Sequence, residues 1–283
     1  MVTRFAPSPT GELHLGHAYA AKVARDLAKD NGGRFLLRHE DIDSSRVREE
    51  YYGMIATDLK WLGLDWDGTP LRQTDRLDAY AEALQKLGEL GLTYPCFCTR
   101  KDIQQELKRM HAAPHIHEAQ VYPGTCRALN PEQAAQRIAD GESHAWRLDS
   151  SKAARLHGTL HFSDLERGEV RVDETVNGDV VLARKDIDVA YHLAVVVDDE
   201  FQGVSHVTRG EDLFSATHVQ RQLQAVLAYR EPVYLHHELV TDENGRRLAK
   251  RDHARSIRSL REKGMTAAEI LDVAEAALSG SNP

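Results

Sequence analysis

The sequence has no apolar run approaching the roughly 20 residues that cross a bilayer as a helix, so a helical membrane span is not expected. It has no secretory leader pattern either: Arg4, Pro7 and Pro9 interrupt any apolar stretch in its opening residues. An excess of basic charge is also missing. Lys and Arg number 36 against 44 Asp and Glu, for a net charge of −8. Bulk charge therefore does not announce a polyanionic partner, although a local basic face can serve an acidic protein. Cysteine is scarce, with only Cys96, Cys98 and Cys126. An odd count argues against a disulfide framework and raises metal binding. There is no internal repeat. What is present is a chain of 283 residues, 41% hydrophobic, enough for one large core with a smaller insertion. The expectation is a soluble cytoplasmic protein, with no membrane partner, acting as a monomer.

Along the chain, residues 2–6 read as a strand that stops at Pro7, and Ala20, Val23, Ala24, Leu27 and Ala28 mark a helix from about Gly16 to Asp30. Residues 34–38 read as a second strand. Two further helical patterns run through Tyr51, Met54, Ile55, Leu59 and Leu62, and through Leu77, Tyr80, Ala81, Leu84 and Leu87. Strands alternating with helices predict an α/β fold with a parallel sheet. Between about Tyr94 and Asp188 the alternation breaks into short β runs, cysteines and a His/Pro stretch, which predicts an inserted α+β subdomain. The apolar run from Leu193 to Val197 predicts a central strand where the sheet resumes. A helix near 215–229, a strand near 233–235 and two C-terminal helices follow. The last helix starts at Thr266, with Glu269 at capping-box spacing, and 279–283 read as a frayed tail. The expected units are 1–93 and 189–238 as the two halves of the main domain, 94–188 as the insertion, and 239–283 as a basic loop with a short helical segment.

The first strand leads into Ser8-Pro9-Thr10-Gly11, a turn sequence, and then His14-Leu15-Gly16-His17 opens a helix. In open α/β sheets ligands bind beyond the carboxyl ends of the strands. A helix start there offers N–H groups and a positive dipole end that suit phosphate. Gly11 and Gly16 permit close approach of a nucleotide, and His14 and His17, three apart, can point the same way. Taken alone, the same residues can equally make only a turn and a cap.

With its surroundings the pattern is more specific. RFAPSPTGELHLGH at the start, RHEDID at 38–43, HVTRGEDL at 206–213 and RLAKR at 247–251 resemble, in the same order, the motifs of the glutamyl-tRNA synthetases. HLGH stands for their HIGH signature and RLAKR for KMSKS. The resemblance implies a class I synthetase Rossmann-like sheet and an ATP-dependent ligase. It implies that Arg4 and Arg209 hold the carboxylates of glutamate, that Glu40 takes its ammonium, and that Phe5, Ala6, Pro7, Ser8 and Tyr191 line the same pocket. Arginine suits carboxylates because its planar fork binds at two points. Arg4 is expected at the end of the first strand, Glu40 at the end of the second, and Arg209 in a turn.

His14, Gly16, His17, Arg247, Leu248 and Lys250 are the implied ATP contacts, with Mg²⁺ accompanying ATP and with His14, His17 and Lys250 in catalytic roles. Two departures stand in the second signature: Arg247 replaces its first lysine and keeps the charge, whereas Ala249 removes a serine hydroxyl. Cys96 and Cys98, two apart on an extended segment, can share a metal with Cys126. Structural zinc takes four ligands. The resemblance implies Tyr122 as the fourth, while His111, His115 and His117 are chemically easier alternatives.

Only about 30 residues follow Lys250, too few for an anticodon-binding domain. That absence and the CFC…YPGTC pattern are similar to the glutamyl-queuosine tRNA(Asp) synthetases. The resemblance then implies that glutamate is activated without tRNA and transferred to queuosine in the anticodon of tRNA(Asp). The insertion, with Arg100, Lys101, Lys108 and Arg109, is expected to hold the RNA. The alternatives are a truncated glutamyl-tRNA synthetase charging a 3′ end and a non-catalytic protein that binds glutamate or RNA.

Overall fold

The computed structural model describes residues 1–111, 121–184, 188–240 and 256–278, without the side chains of 106–111. The expected positions His115, His117, Arg247, Leu248 and Lys250, and the tail 279–283, lie outside the described residues, as do the side chains of Lys108, Arg109 and His111. In chain order the elements are β1 (Val2–Phe5), α1 (Leu15–Asp30), β2 (Arg34–His39), α2 (Glu49–Trp61), β3 (Leu71–Arg72), α3 (Leu77–Glu89), β4 (Thr93–Cys96) and α4 (Arg100–His111). Then come α5 (Pro131–Ala139), β5 (Ala145–Leu148), α6 (Ser150–His157), β6 (His161–Asp164), β7 (Gly168–Arg171) and β8 (Val181–Arg184). The chain continues with α7 (Tyr191–Gln202), β9 (His206–Gly210), α8 (Phe214–Leu227), β10 (Val233–His237), α9 (Ile257–Glu262) and α10 (Ala267–Ala276).

The first βαβ unit forms where its pattern predicts it, although of Ala20, Val23, Ala24, Leu27 and Ala28 only Ala24 and Ala28 are buried. Leu15, Ala18, Ala21, Ala24 and Ala28 put one stripe of α1 into the core against Phe5, Phe35 and Leu37. β1 and β2 pair in parallel, with Arg4 opposite Leu36, and β3 extends the same sheet. A second sheet runs β7-β6-β10-β9, with β6, β10 and β9 parallel. The two sheets meet where the Ser205 N–H donates to Val2 O at 3.0 Å, which aligns the starts of β1 and β9, and Arg4 Nη1 donates to Thr208 O at 3.3 Å further along them. A third, antiparallel sheet, β4-β5-β8, stands apart. Strands from the 94–188 stretch are thus divided: β4, β5 and β8 form a sheet of their own, and β6 and β7 join β9 and β10.

One expectation is corrected. Residues Leu193–Val197 belong to helix α7, not to a central strand. A continuous apolar run has no readable period, and here every residue from Leu193 to Asp199 is buried, so the helix shows no polar face. The 12 residues before Gly203, which caps the helix with φ +67°, fit a helix better than a strand. Arg209 is likewise placed in strand β9 rather than in a turn. The last helix does start at Thr266: its hydroxyl accepts from Glu269 N at 3.3 Å, and the Glu269 carboxylate accepts from Thr266 N at 2.8 Å.

Two acidic residues inside α7 explain its place at the centre. Asp198 has no exposed surface and accepts from Gln73 Nε2 at 2.9 Å, Arg76 Nε at 2.8 Å and Tyr80 Oη at 2.9 Å. These partners lie in the short turn at 73–76 and in α3, so the carboxylate ties α7 to the segment that precedes β4. Asp198→Ala is expected to lower the unfolding free energy by about 3–5 kcal/mol, because it strands a largely buried guanidinium. Tyr80→Phe, which leaves two of the partners in place, should cost about 1 kcal/mol. Urea unfolding followed by circular dichroism checks both; equal losses would contradict the ranking.

Candidate active site

A cleft of about 370 Å³ opens at the carboxyl ends of β1, β2 and β9. Arg4, Phe5, Ala6, Glu40, Tyr191 and Arg209 line one part of it, and His14, Gly16 and His17 at the start of α1 line another. Pro7 and Ser8 do not line it. Pro7 sits behind the wall, where its carbonyl accepts from Glu40 N at 3.1 Å, so it fixes Glu40 rather than touching the cleft.

The two arginines are held differently. Arg4, 5% exposed, is fixed by Asp199 of α7, whose Oδ1 lies 3.0 Å from its Nε; Arg4 Nη1 also donates to Thr208 O at 3.3 Å. The same Asp199 oxygen takes Arg38 Nη2 at 2.7 Å. Burial alone would raise the Asp199 pKa, but Arg4 and Arg38 outweigh it and hold the carboxyl below its usual range. Arg209, also 5% exposed, is braced by groups that carry no negative charge: Gln220 Oε1 at 2.7 Å, Thr217 Oγ1 at 2.5 Å and His236 Nε2 at 3.1 Å. His192 lies near by and is pushed down to about 4, by burial first and then by Arg209, so it is neutral.

Glu40 stands just past β2 between these charges. Enclosing protein pushes its pKa up to about 7, against the pull of Arg38 and Arg4. One side of the carboxyl stays open to the cleft, so its neutral form answers to water and to whatever cation enters. At the other end the rings of His14 and His17 stack with centroids 3.8 Å apart. His17 Nδ1 accepts from His14 N at 3.2 Å, so in the neutral ring the proton sits on Nε2 as a donor. The first turn of α1 contains no acidic residue that would cancel its dipole. A Cβ at Gly16 would lie 3.2 Å from His14 Cε1 and press on the ring. At Gly210 a Cβ would lie 2.6 Å from the ends of the Leu239 and Asp212 side chains, which would have to shift.

A second group of donors lies at the third sheet. One sulfur from each of Cys96, Cys98 and Cys126 falls within 4.8 Å of the others, with Cys98 and Cys126 at 3.4 Å. Tyr122 Oη lies 3.3 Å from Cys96 Sγ and 3.6 Å from Cys98 Sγ. Tetrahedral thiolates on a metal at about 2.3 Å sit about 3.8 Å apart, so this spacing fits a metal ion. Burial pushes Cys98 up to about 12 and raises Tyr122 as well, and a bound cation would reverse both shifts.

Several residues that shape the cleft escape a reading of the sequence. Asp199 closes an apolar run, His237 and Val240 line the site without belonging to a motif, and Thr208 and Asp212 lie within the 206–213 motif, which by itself gives them no role. The only clue to Asp198 and Asp199 is two consecutive carboxylates closing a run of valines, where a buried pair needs cations.

The family model described as tRNA synthetases class I (E and Q), catalytic domain, matches residues 1–275. A glutamyl-Q tRNA(Asp) synthetase of Rhodobacter capsulatus is 47% identical over 275 residues, covering 95% of this chain and 98% of its own length. The protein of the same description from Nitratidesulfovibrio vulgaris is 44% identical, covering 94% of this chain and 83% of its own. A crystal structure of a glutamate tRNA ligase from Elizabethkingia meningosepticum, in complex with its amino acid, superposes with a TM-score of 0.75 at 26% identity. That match covers 94% of this chain and 53% of the ligase, so the chain spans about half of that protein. A family match across nearly the whole sequence, with relatives at 44–47% identity covered over most of their length, shows that the chain belongs to the class I tRNA synthetases of the E and Q group, among the glutamyl-Q tRNA(Asp) synthetases.

Proposed function

We propose that this protein activates L-glutamate with ATP, without tRNA, and transfers the glutamyl group to queuosine in the anticodon of tRNA(Asp). The observation that carries the reading is one cleft with two fixed arginines, Arg4 and Arg209, a carboxyl at Glu40 between them, and the histidine-rich start of α1 beside them. Glutamate offers two carboxylates and one ammonium, the complement of that set. Arg4 and Arg209 take the carboxylates, Glu40 the ammonium, and Tyr191, Phe5 and Ala6 the stem. Glutamine would leave one guanidinium fork half paired, a loss a polar site punishes severely.

The α1 dipole and the His17 Nε2–H face the phosphates of ATP, with His14 beside them. Lys250, Arg247 and Leu248 belong to the loop that completes the nucleotide site in this reading. Mg²⁺ enters with ATP and offsets phosphate charge. A glutamate carboxylate oxygen attacks the α-phosphorus, the bond to the bridging oxygen breaks, and pyrophosphate leaves. A queuosine hydroxyl then attacks the adenylate carbonyl, AMP leaves as its phosphate anion, and the hydroxyl proton passes to solvent or to AMP. Positioning and fixed charge supply the catalysis; no covalent enzyme intermediate is required. The acceptor assignment is supported by the relatives' names.

Glutamate-dependent exchange of pyrophosphate into ATP in the absence of RNA is the expected activity, and Arg4→Ala should reduce its kcat/KM by at least about a hundredfold. With radiolabelled glutamate, tRNA(Asp) carrying queuosine should be charged and the same tRNA lacking queuosine should not. Equal charging of both would move the acceptor to the 3′ end.

Glutamate binding should also depend on pH. The ammonium is bound by ionised Glu40, whose carboxyl is pushed up to about 7 in the empty cleft. Below that pH the carboxyl must lose a proton before the ligand binds, so the Kd should weaken about tenfold per unit as pH falls from 7 to 6 and beyond. Calorimetry between pH 5.5 and 8.5 should show proton release at the acid end, and Glu40→Gln should abolish the dependence.

The cysteine site is read as structural zinc held by Cys96, Cys98, Cys126 and Tyr122. Elemental analysis should find about one zinc per chain. Cys126→Ser should lose it, and Tyr122→Phe should bind it more weakly. Full retention by Tyr122→Phe would transfer the fourth position to His111, His115 or His117.

A further inference from the structure

Arg209 and Arg4 face the same cleft but are anchored by different chemistry. Arg4 meets a carboxylate directly. Arg209 has a partner on each of its three nitrogens, and none of these partners is an anion. One partner, His236, lies opposite Arg209 in register on the adjacent parallel strand β10. Behind His236 stands Asp164, the last residue of β6, with Oδ2 at 2.5 Å from His236 Nδ1 and both side chains wholly enclosed. The other carboxylate oxygen, Oδ1, accepts from Glu166 N at 2.9 Å and Arg167 N at 3.1 Å. Asp164 therefore cannot rotate without breaking two backbone bonds.

The proton bookkeeping along this line has one solution. Arg209 Nε–H only donates, so His236 Nε2 must be bare. The ring proton is then on Nδ1 and is donated to Asp164. Thr217 Oγ1, 3.0 Å from the same Nε2, accepts from Arg209 Nη2, and its own hydrogen at most shares the single Nε2 lone pair with Arg209 Nε–H. The ring stays neutral, because burial and then Arg209 push His236 down to about 4.

We infer that Asp164 and His236 are positioning residues for the glutamate site: the carboxylate selects the imidazole tautomer, and the bare Nε2 fixes the roll of the Arg209 guanidinium. Asp164 supplies a negative charge held one ring away, so Arg209 is oriented without a directly bonded counter-ion and its charge remains directed to a substrate carboxylate. The inference rests on the reading of the cleft as a glutamate site.

Asp164→Asn tests it with almost no change of volume. The two backbone N–H groups require the amide oxygen on their side, which turns the amide NH₂ toward His236 Nδ1. That nitrogen must then accept, the ring proton moves to Nε2, and it opposes Arg209 Nε–H. In glutamate-dependent pyrophosphate exchange by the full chain, the variant should raise the KM for glutamate about tenfold to a hundredfold. The KM for ATP should stay within about twofold, and the preference for glutamate over glutamine should fall. Nitrogen-15 NMR of the histidine rings should find His236 bare at Nε2 in the unaltered protein and bare at Nδ1 in the variant. A purely structural role would lower the melting temperature with no change in KM ratio. Two results overturn the inference: an unaltered protein protonated at Nε2, or a variant with reversed tautomer and unchanged glutamate KM. If Asp164→Asn does not fold, the NMR measurement on the unaltered protein still decides the tautomer, and Thr217→Val, which removes another brace of Arg209, must raise the same KM. Absence of any glutamate-dependent exchange in the unaltered protein would defeat the substrate reading instead, leaving the tautomer measurement to judge the line of bonds by itself.

Discussion

The structure turns on a buried carboxylate that two arginines share. Asp199, on helix α7, joins Arg4 of β1 to Arg38 of β2 through a single oxygen. A pair of cations at adjacent strand ends repel each other, and removing them from water is costly. One anion between them offsets both effects and fixes their spacing. Its neighbour Asp198 points elsewhere and secures the segment around Tyr80. Helix α7 is therefore a hub: one carboxylate sets the floor of the cleft, and the next fastens that floor to the rest of the chain. The cleft itself is of mixed charge, since Glu40, Asp212 and Glu238 line it together with Arg4 and Arg209.

Much of this was legible in the sequence, for identifiable reasons. The helical spacing of Ala20, Val23, Ala24, Leu27 and Ala28, the break at Pro7 and the Thr266–Glu269 pair are local signals, and the elements they predict are present. Arg4, Glu40, Tyr191 and Arg209, named from separate motifs, line one cleft. What could not be read was set by tertiary contact. The valines of α7 look like a strand because β-branched runs favour one, and only burial on all sides makes the helix stable there. Arg209 reads as a turn residue because Gly210 follows it, yet that glycine answers to Leu239 and Asp212 rather than to a bend. Asp164 and His236 stand 72 residues apart and carry no motif, so nothing in the sequence joins them before the strands pair.

The two arginines of the cleft illustrate how one residue type can serve two ends. Arg4, tied directly to an anion, keeps a nearly balanced charge and a fixed place. Arg209, tied to an amide, a hydroxyl and an imidazole, keeps its place with its charge undiminished by direct contact. The two guanidiniums thus differ in how much of their charge is met by a direct partner. Glu40 adds a third behaviour. Its carboxyl is close to the point of ionisation, so an incoming cation decides its state.

The course of β6 has a consequence for how this protein can change. The stretch between β4 and β8 looks from its composition like a cassette that a lineage could exchange to gain a new acceptor. Yet its middle strand lies inside the main sheet, beside β10, and ends on the carboxylate that sets His236. A recombinant that replaced the whole stretch would carry off Asp164, and with it the support of His236 and Arg209 at the cleft. Exchange should therefore be tolerated better in the outer segments, around β4, β5 and β8, than at the inner strand.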